Sequence, residues 1–346
     1  MKVSVLSTTH PMIRDISLLT LGAMVDTLSI DLNSTSTILT YAKDFQIHWS
    51  RTIPLAHSCI SCSIREAIAP ALNELRICGT KRLLLALPVA IEPLHAAPGL
   101  VDLTTRGYPL YGCTITSVVH ALDQDSAAAD LVRHIPLSDL GIAYGEDDTR
   151  CTGEVLMSCL GYADAVMTLG NDPLGSDLVE HLRPFDTLRI DSLDDLTEDL
   201  LFESVHDPDE AIARIHPTST RAWGGPTAHG VWTLDLNSDR PFHPERLRAF
   251  AGELAATDSC ARGCFWLPSR PRDICTWEVS GGSVSVGTAG HWKGDPFTHI
   301  IATGVGPSQE CIHRAFGQIL MTEAEMRDCL AWVGAADGLD DWFPMG

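Results

Sequence analysis

The stretch "RLLLALPV", residues 82–89, constrains the fold more than any other. It is a continuous apolar run of strand length without alternation, so a strand made from it is buried on both faces. Strands of that kind belong to parallel sheets covered by helices on both sides. The flanking pattern agrees. "VSVLS" (3–7) reads as a short buried strand, Ile13 to about Ala23 has helical spacing, and Ile64, Ile68, Leu72 and Leu75 form the apolar face of a helix over 64–75. Ser63 followed by Glu66 supplies a capping-box pattern at its start. "YGCTITSVVHAL" (111–122) is a β-branched run, "GEVLMSCLGYA" reads as a helix, and "DAVMTLG" and "TLRIDS" read as strands. "STILTYA" and "FQIHWSR" fit strand or helix edges equally well. Strand and helix in alternation predict an α/β domain built on a parallel sheet.

The pattern changes near residue 200. "ESVHDPDE" is acidic and holds a proline, and "HPTSTRAWGGPTAHG" is rich in turn residues and reads as a connection. "GVWTLDLN", a helix "HPERLRAFAGELA", then "ARGCFWLPS", "ICTWEVSGGSVSVG" and "THIIATGVG" predict a smaller α+β domain of mainly antiparallel strands. The expected division is a sheet domain over 1–200, a connection over 201–226, a second domain over 227–332 and an acidic tail over 333–346. The tail is expected to be poorly ordered unless Trp342 and Phe343 dock. No internal repeat is present.

The net charge is −21, from 24 basic and 45 acidic residues. A surface this negative repels phosphate backbones, which excludes broad electrostatic binding of RNA or DNA. Lysine occurs only at Lys2, Lys43, Lys81 and Lys293. No run approaches the roughly 18 apolar residues of a membrane span, and the first residues lack the apolar stretch and cleavage site of a secretory signal. The expectation is a soluble, cytoplasmic protein without a membrane partner.

Of 11 cysteines, only Cys59/Cys62 and Cys260/Cys264 are close pairs, which is not the pattern of a secreted disulfide framework. Most are expected to be buried as small hydrophobes, Cys260 and Cys264 among them. The stretch "HSCISCSIREAIAPALNEL" (57–75) is different, because its C-x-x-C stands where a helix begins. Two thiolates at that spacing can face one zinc ion across a tight turn, and the positive end of the helix dipole favours the thiolate form. A redox dithiol and a bland helix-start pair remain alternative readings of the same residues. Two ligands hold zinc weakly, so a third is needed; His57 is nearest in sequence, and Cys78, Glu92 or His95 could reach the site across the sheet. His216, His229 and His243 read as loop or interface residues, with a second metal site as the alternative. Trp223, Trp232, Trp266, Trp277 and Trp292 are expected to build the second domain's core and contacts. Asp147 and Asp148 read as solvated surface.

The order of these segments resembles the CobW family of P-loop GTPases across nearly the whole chain. The likeness is carried by "HSCISCSIREAIAPALNEL", similar to the family's Gly-Cys-x-Cys-Cys stretch and its helix, and by "DDTRCTGEVLMSCLGYADAVMTLGND". In the second domain "RPFHPERL", "RGCFWLP" with Trp277, and "HIIATGVGPSQECIHRAFGQILMTEAE" carry it. The resemblance implies a P-loop-type parallel sheet domain followed by the α+β CobW C-terminal domain. It implies zinc at Cys59 and Cys62, with His57 as the nearest further ligand; Ser61 stands where the family has its middle cysteine.

Three departures accompany the likeness. A Walker A loop needs G-x-x-x-x-G-K-[ST], with glycines whose backbone amides cradle phosphate, a lysine counter-charge and a hydroxyl for magnesium. Thr8 and Ile13 hold the glycine positions, Arg14 the lysine position and Asp15 the hydroxyl position. At the second strand Ala86 and Val89 stand for the family's glutamate and glycine, while Glu92 and Pro93 remain. In the guanine motif Leu169 and Gly170 replace Asn and Lys, and Asp172 is kept. GTP binding is therefore doubtful, and a pseudo-GTPase is expected. Its loop resembles the actinobacterial relatives that recruit a ribosome-hibernation factor under zinc limitation, which implies an adaptor rather than a catalyst. A GTP-dependent zinc metallochaperone is the competing expectation, and a plain zinc buffer the least favoured.

Overall fold

In the computed structural model the chain is described at residues 1–55, 60–224 and 227–343. Its elements in order are β1 (Lys2–Thr8), α1 (Pro11–Leu21), β2 (Asp26–Leu32), β3 (Ser36–Lys43), β4 (Gln46–Pro54), α2 (Ile60–Ile77), β5 (Arg82–Ala86), α3 (Ala97–Asp102), β6 (Thr114–Asp123), α4 (Gln124–Val132), α5 (Thr152–Tyr162), β7 (Ala165–Leu169), α6 (Pro173–Leu182), β8 (Leu188–Ile190), α7 (Glu198–Phe202), α8 (Pro208–Ile215), β9 (Trp232–Ser238), α9 (Pro244–Leu254), β10 (Ser259–Phe265), β11 (Asp273–Ser280), β12 (Ser283–His291), β13 (Thr298–Gly304), α10 (Gln309–Ile319) and α11 (Glu323–Met326). They form two compact units: Met1–Ala127 with Ile135–Asp172 and Arg183–Ala213, and Ala128–His134 with Pro173–Leu182 and Arg214–Gly346.

The first unit is a mixed α/β domain on an eight-stranded sheet of order β4-β3-β2-β5-β1-β6-β7-β8. From β2 across to β8 neighbouring strands run parallel. The run at 82–86 is its buried β5, with Leu83, Leu84, Leu85 and Ala86 wholly inaccessible, as a strand covered on both faces requires. The ambiguous stretches are strands: β2, β3 and β4 form an antiparallel meander. The β3–β4 turn passes through Asp44 and Phe45 at φ 49° and 61°. It therefore uses the left-handed turn geometry of a two-residue hairpin without the glycine that usually announces it. One sheet face packs Leu6, Leu84, Val119 and Met167 against Ile13 and Leu21 of α1 and Leu201 and Phe202 of α7. α2 lays Ile64, Ile68, Leu72 and Leu75 inward. It starts at Ile60, ahead of the start expected at Ser63.

The connection expected from residue 201 is partly core. Leu201 and Phe202 are buried, and the Leu201 carbonyl accepts hydrogen bonds from the hydroxyls of Thr116 (2.6 Å) and Ser117 (2.9 Å). His206 is buried between Tyr162 (3.1 Å) and Asp164 (2.7 Å). The acidic stretch after it forms α8.

The second unit carries a five-stranded antiparallel sheet of order β12-β11-β10-β13-β9. Its core gathers Trp232, Phe242, Phe265, Trp277, Ile312 and Phe316. Trp266 is buried beside that core, and Trp292 packs against Phe297 at 5.0 Å. Cys260 and Cys264 are buried, and burial pushes the Cys264 thiol up to about 12. Gly281 and Gly282, both left-handed, turn β11 into β12. Of the two expectations for the end of the chain, docking is the one observed for Phe343. Leu339 and Phe343 insert into the core, and buried Asp337 fastens the segment by accepting from Ser269 Oγ (2.5 Å) and Arg270 Nη2 (2.9 Å). No described helix is long and apolar enough to cross a membrane.

Candidate functional site

The three nucleotide positions read from sequence fall at the carboxyl ends of β1, β5 and β7, on one edge of the parallel sheet. That edge is where open α/β sheets bind ligands. Between β1 and α1 lie only Thr9 and His10. Pro11 opens the helix at N1, where its missing N–H costs nothing, so Ile13, Arg14 and Asp15 are all helical. Ile13 is buried in the core. Arg14 is buried too, with Nη1 donating to Asp31 Oδ1 at 2.6 Å and Nη2 to the Ile30 carbonyl at 2.5 Å. The cation at the lysine position is thus turned onto β2. Asp15 faces solvent.

After β5 the chain passes through Ala90 at φ 59°. Its N–H donates to the Thr8 carbonyl (2.9 Å) and its carbonyl accepts from Arg150 Nη1 (3.1 Å). Ala90 packs with Leu137, Val155 and Cys159, and Val89, Ile142 and Ala143 lie over them. The cavity left there, lined by Pro11, Asp31, Pro88, Val89 and Tyr144, holds about 190 Å³.

The loop after β7 is organised by a carboxylate. Asp125 Oδ1 accepts from the N–H groups of Asn171 (2.6 Å) and Asp172 (2.7 Å), while Gln124 Nε2 donates to the Gly170 carbonyl (2.5 Å). Gly170 sits at φ 103°, and a Cβ there would lie 2.6 Å from Asp125 Oδ1. Asp172 is therefore close to Asp125, which adds negative charge where a guanine edge would be read.

Around Arg150 lies a hub that sequence reading missed. Its Nε and Nη2 donate to Asp148 at 2.9 Å each, and Nη1 donates to Glu92 Oε2 at 2.5 Å. Asp148 is buried rather than solvated, because Arg150 neutralises it in place. Burial alone would raise the Asp148 carboxyl, but the Arg150 hydrogen bonds override it and hold it below the usual range. Burial likewise works against the Arg150 charge, and Asp148 and Glu92 overcome it and push the guanidinium up. The only available signal was the D-x-R spacing of 148–150, too short to interpret alone.

Cys59 and His57 lie outside the described residues. Cys62 is half-buried in the first turn of α2. Beside it the Ser61 hydroxyl meets His95 Nδ1 at 3.3 Å, and His95 Nε2 stands 3.6 Å from Glu92 Oε2. One of the sequence candidates, His95, thus comes to the start of α2, and Glu92 stands on the other side of its ring. Cys78 does not: it follows the far end of the helix, about 24 Å away at 1.5 Å per residue. His216, His229 and His243 do not converge. His216 bonds Thr218, His229 bonds Asp177 at 2.8 Å, and His243 packs edge-on against Trp332. Among the described residues no group of three or more His, Cys, Asp or Glu side chains could hold a metal ion.

Residues 231–320 match the family described as the cobalamin synthesis protein CobW C-terminal domain. The chain is 24% identical over 334 residues to the zinc chaperone Rv0106 of Mycobacterium tuberculosis, covering 84% of this chain and 79% of that protein. The same figures hold for the uncharacterized protein Mb0109 of Mycobacterium bovis. Among solved structures, the Zn(II)-bound YjiA GTPase of E. coli aligns over 92% of this chain and 98% of that one, at 12% identity and a TM-score of 0.38. The family match lies within the second unit, and the alignment with the protein named a zinc chaperone runs through most of the chain.

Proposed function

We propose that this chain is a CobW-family zinc protein that works as a zinc-responsive adaptor rather than as a GTPase. The observation that carries the reading is the fate of Arg14. It sits on a helix that starts where a phosphate loop would be, and its guanidinium is bonded to Asp31 and Ile30. A triphosphate needs a ring of backbone amides and a cation facing it. The residues at that position do not fit one. The 190 Å³ cavity is also smaller than the roughly 300–1,000 Å³ of small-molecule sites, and Asp125 crowds the guanine loop.

For zinc the donor chemistry fits. A C-x-x-C pair at a helix start offers two soft thiolates, and an imidazole stands beside the first turn of that helix. Zinc held by Cys59 and Cys62, with His57 as the nearest ligand in sequence, ties the segment before α2 to its first turn. Loss of zinc releases that segment and alters the surface offered to a partner. From its resemblance to hibernation-factor-recruiting relatives, the partner we propose is a hibernation factor brought to the ribosome when zinc is scarce, through protein contacts.

A second reading is a GTP-dependent zinc metallochaperone; one relative is named a zinc chaperone. Two measurements separate them. Capture of partners from cells grown with and without zinc should enrich ribosomal proteins or a hibernation factor under depletion. Calorimetry with GTP and magnesium should show no binding. Micromolar GTP binding with turnover, together with a zinc enzyme as the captured partner, would overturn the adaptor reading in favour of the chaperone.

A further inference from the structure

We propose that the concavity at the amino-terminal ends of β2 and β5 is a binding site for a small aromatic anion, a flat ring bearing a phosphate or carboxylate. It lies on the sheet edge opposite the three nucleotide positions, within the first unit, and stands independently of the zinc reading.

The concavity holds about 700 Å³, against about 190 Å³ at the nucleotide edge, and falls inside the roughly 300–1,000 Å³ range of small-molecule sites. Three carboxylates line it, and each is engaged in holding a wall. Asp26 Oδ2 accepts from the Tyr41 hydroxyl at 2.8 Å and the Thr80 hydroxyl at 3.4 Å, which ties β2 to β3 and to the turn before β5. Glu74 takes both terminal nitrogens of Arg51, at 2.6 and 2.7 Å, and so joins α2 to β4. Glu198 is paired with Arg82. The two ammonium groups of the lining are not held in this way. Lys43 Nζ stands 3.9 Å from Asp26 Oδ1, too far for a hydrogen bond. Lys81 is exposed and has no ion pair among the described residues. The negative groups thus serve as struts, and the positive ones face the opening. A metal ion would find no unengaged carboxylate there, and a cationic ligand would meet two ammonium groups.

The rest of the recognition surface is aromatic. Successive residues of a strand normally point to opposite faces. The ladder between β3 and β4 slips at Tyr41/Ala42, so His48 is an extra residue between Ile47 and Trp49. Such a bulge re-aims a side chain. It brings both His48 and Trp49 to Tyr41, each with its ring centroid 5.7 Å away. Arg51 packs over Trp49 at 4.2 Å and steadies that ring. Aromatic faces beside unengaged ammonium groups suit a ligand with a flat ring at one end and negative charge at the other. The exposed thiol of Cys78 also lines the concavity and can report its occupancy.

The test is calorimetric titration of the full-length chain with phenyl phosphate, beside inorganic phosphate and phenyltrimethylammonium as controls. Phenyl phosphate should bind saturably at one site, more tightly than inorganic phosphate, and phenyltrimethylammonium should not bind. Bound phenyl phosphate should slow alkylation of Cys78, read by mass spectrometry of its peptide, which locates the site. Lys81→Met and Lys43→Met should each weaken phenyl phosphate by about 10–100-fold, the worth of a hydrogen bond to a charged group. Trp49→Ala should weaken phenyl phosphate by about 2–10-fold and leave inorganic phosphate unchanged. Circular dichroism checks that each variant is folded, and the two lysines are exposed, so their replacement leaves the core intact. Absence of saturable phenyl phosphate binding, or binding that neither protects Cys78 nor weakens in the Lys43→Met, Lys81→Met double variant, would overturn the proposal. So would preference for phenyltrimethylammonium, or equal affinity for phenyl phosphate and inorganic phosphate.

Discussion

Arg14 and Asp31 form an ion pair 2.6 Å long that fastens α1 to β2, with the arginine side chain 8% exposed and the aspartate 54%. It is a strut between a helix and the strand that follows it in the chain.

The strut has two consequences. Arg14→Lys should not create GTP binding by calorimetry, since the residues that would form the loop remain helical from Pro11. Asp31→Ala should destabilise the protein by about 1–3 kcal/mol, because a buried guanidinium loses its charged partner and keeps only the Ile30 carbonyl. Denaturant unfolding measures the second effect.

Arg150→Met is expected to be far more damaging. It strands two buried carboxylates, Glu92 and Asp148, for which removal of the shared partner costs about 3–5 kcal/mol. Because Asp148 is held below its ordinary range in the folded chain, its contribution is present above that ordinary value. It is lost as pH falls through the lowered folded value. In the Met variant, unfolding midpoints should lose that dependence.

His120 gives a second pH signature of its own. It is buried on β6, its Nδ1 meets Ser7 Oγ at 3.0 Å, and Nε2 has no partner among the described residues. Burial lowers its pKa from 6.5 to about 3. The unfolded chain therefore takes up the proton first as pH falls. Stability is fully present above about 6.5 and declines between that value and about 3, by at most about 1.4 kcal/mol per pH unit. His120→Asn should flatten the decline in urea midpoints measured across that range.

At the guanine loop, Gly170→Ala should cost about 1–3 kcal/mol, from a left-handed φ and a contact with Asp125. Adding Asp125→Ala removes that contact but also the acceptor of the Asn171 and Asp172 N–H groups, and it leaves the φ strain and Asp123 Oδ1 at 3.0 Å, so the double variant should be no more stable than Gly170→Ala alone. Thermal unfolding of the three proteins checks this.

Much of the fold was legible in the residues. The apolar run at 82–86, the alternation around it and the switch after residue 200 are periodicities that burial imposes locally. The β2–β4 meander was ambiguous because its turn uses Asp44 and Phe45 where a glycine would have announced a hairpin. Whether Phe343 docks was left open, because its burial, like that of Leu339, depends on a core assembled from residues 232–320.

The sequence alone determined which donors and which losses are present: a thiol pair before a helix, and an arginine, an aspartate and no glycine where phosphate would bind. Only the tertiary structure decided what those residues face. Arg14 turns to Asp31, Asp148 goes inward to Arg150, and His95 comes to the first turn of α2 while Cys78 is carried to its far end. The reason is physical. Chemical identity is local to a residue, but the partner of a buried charge or a ring nitrogen is chosen by strand order and helix length, which bring distant segments together.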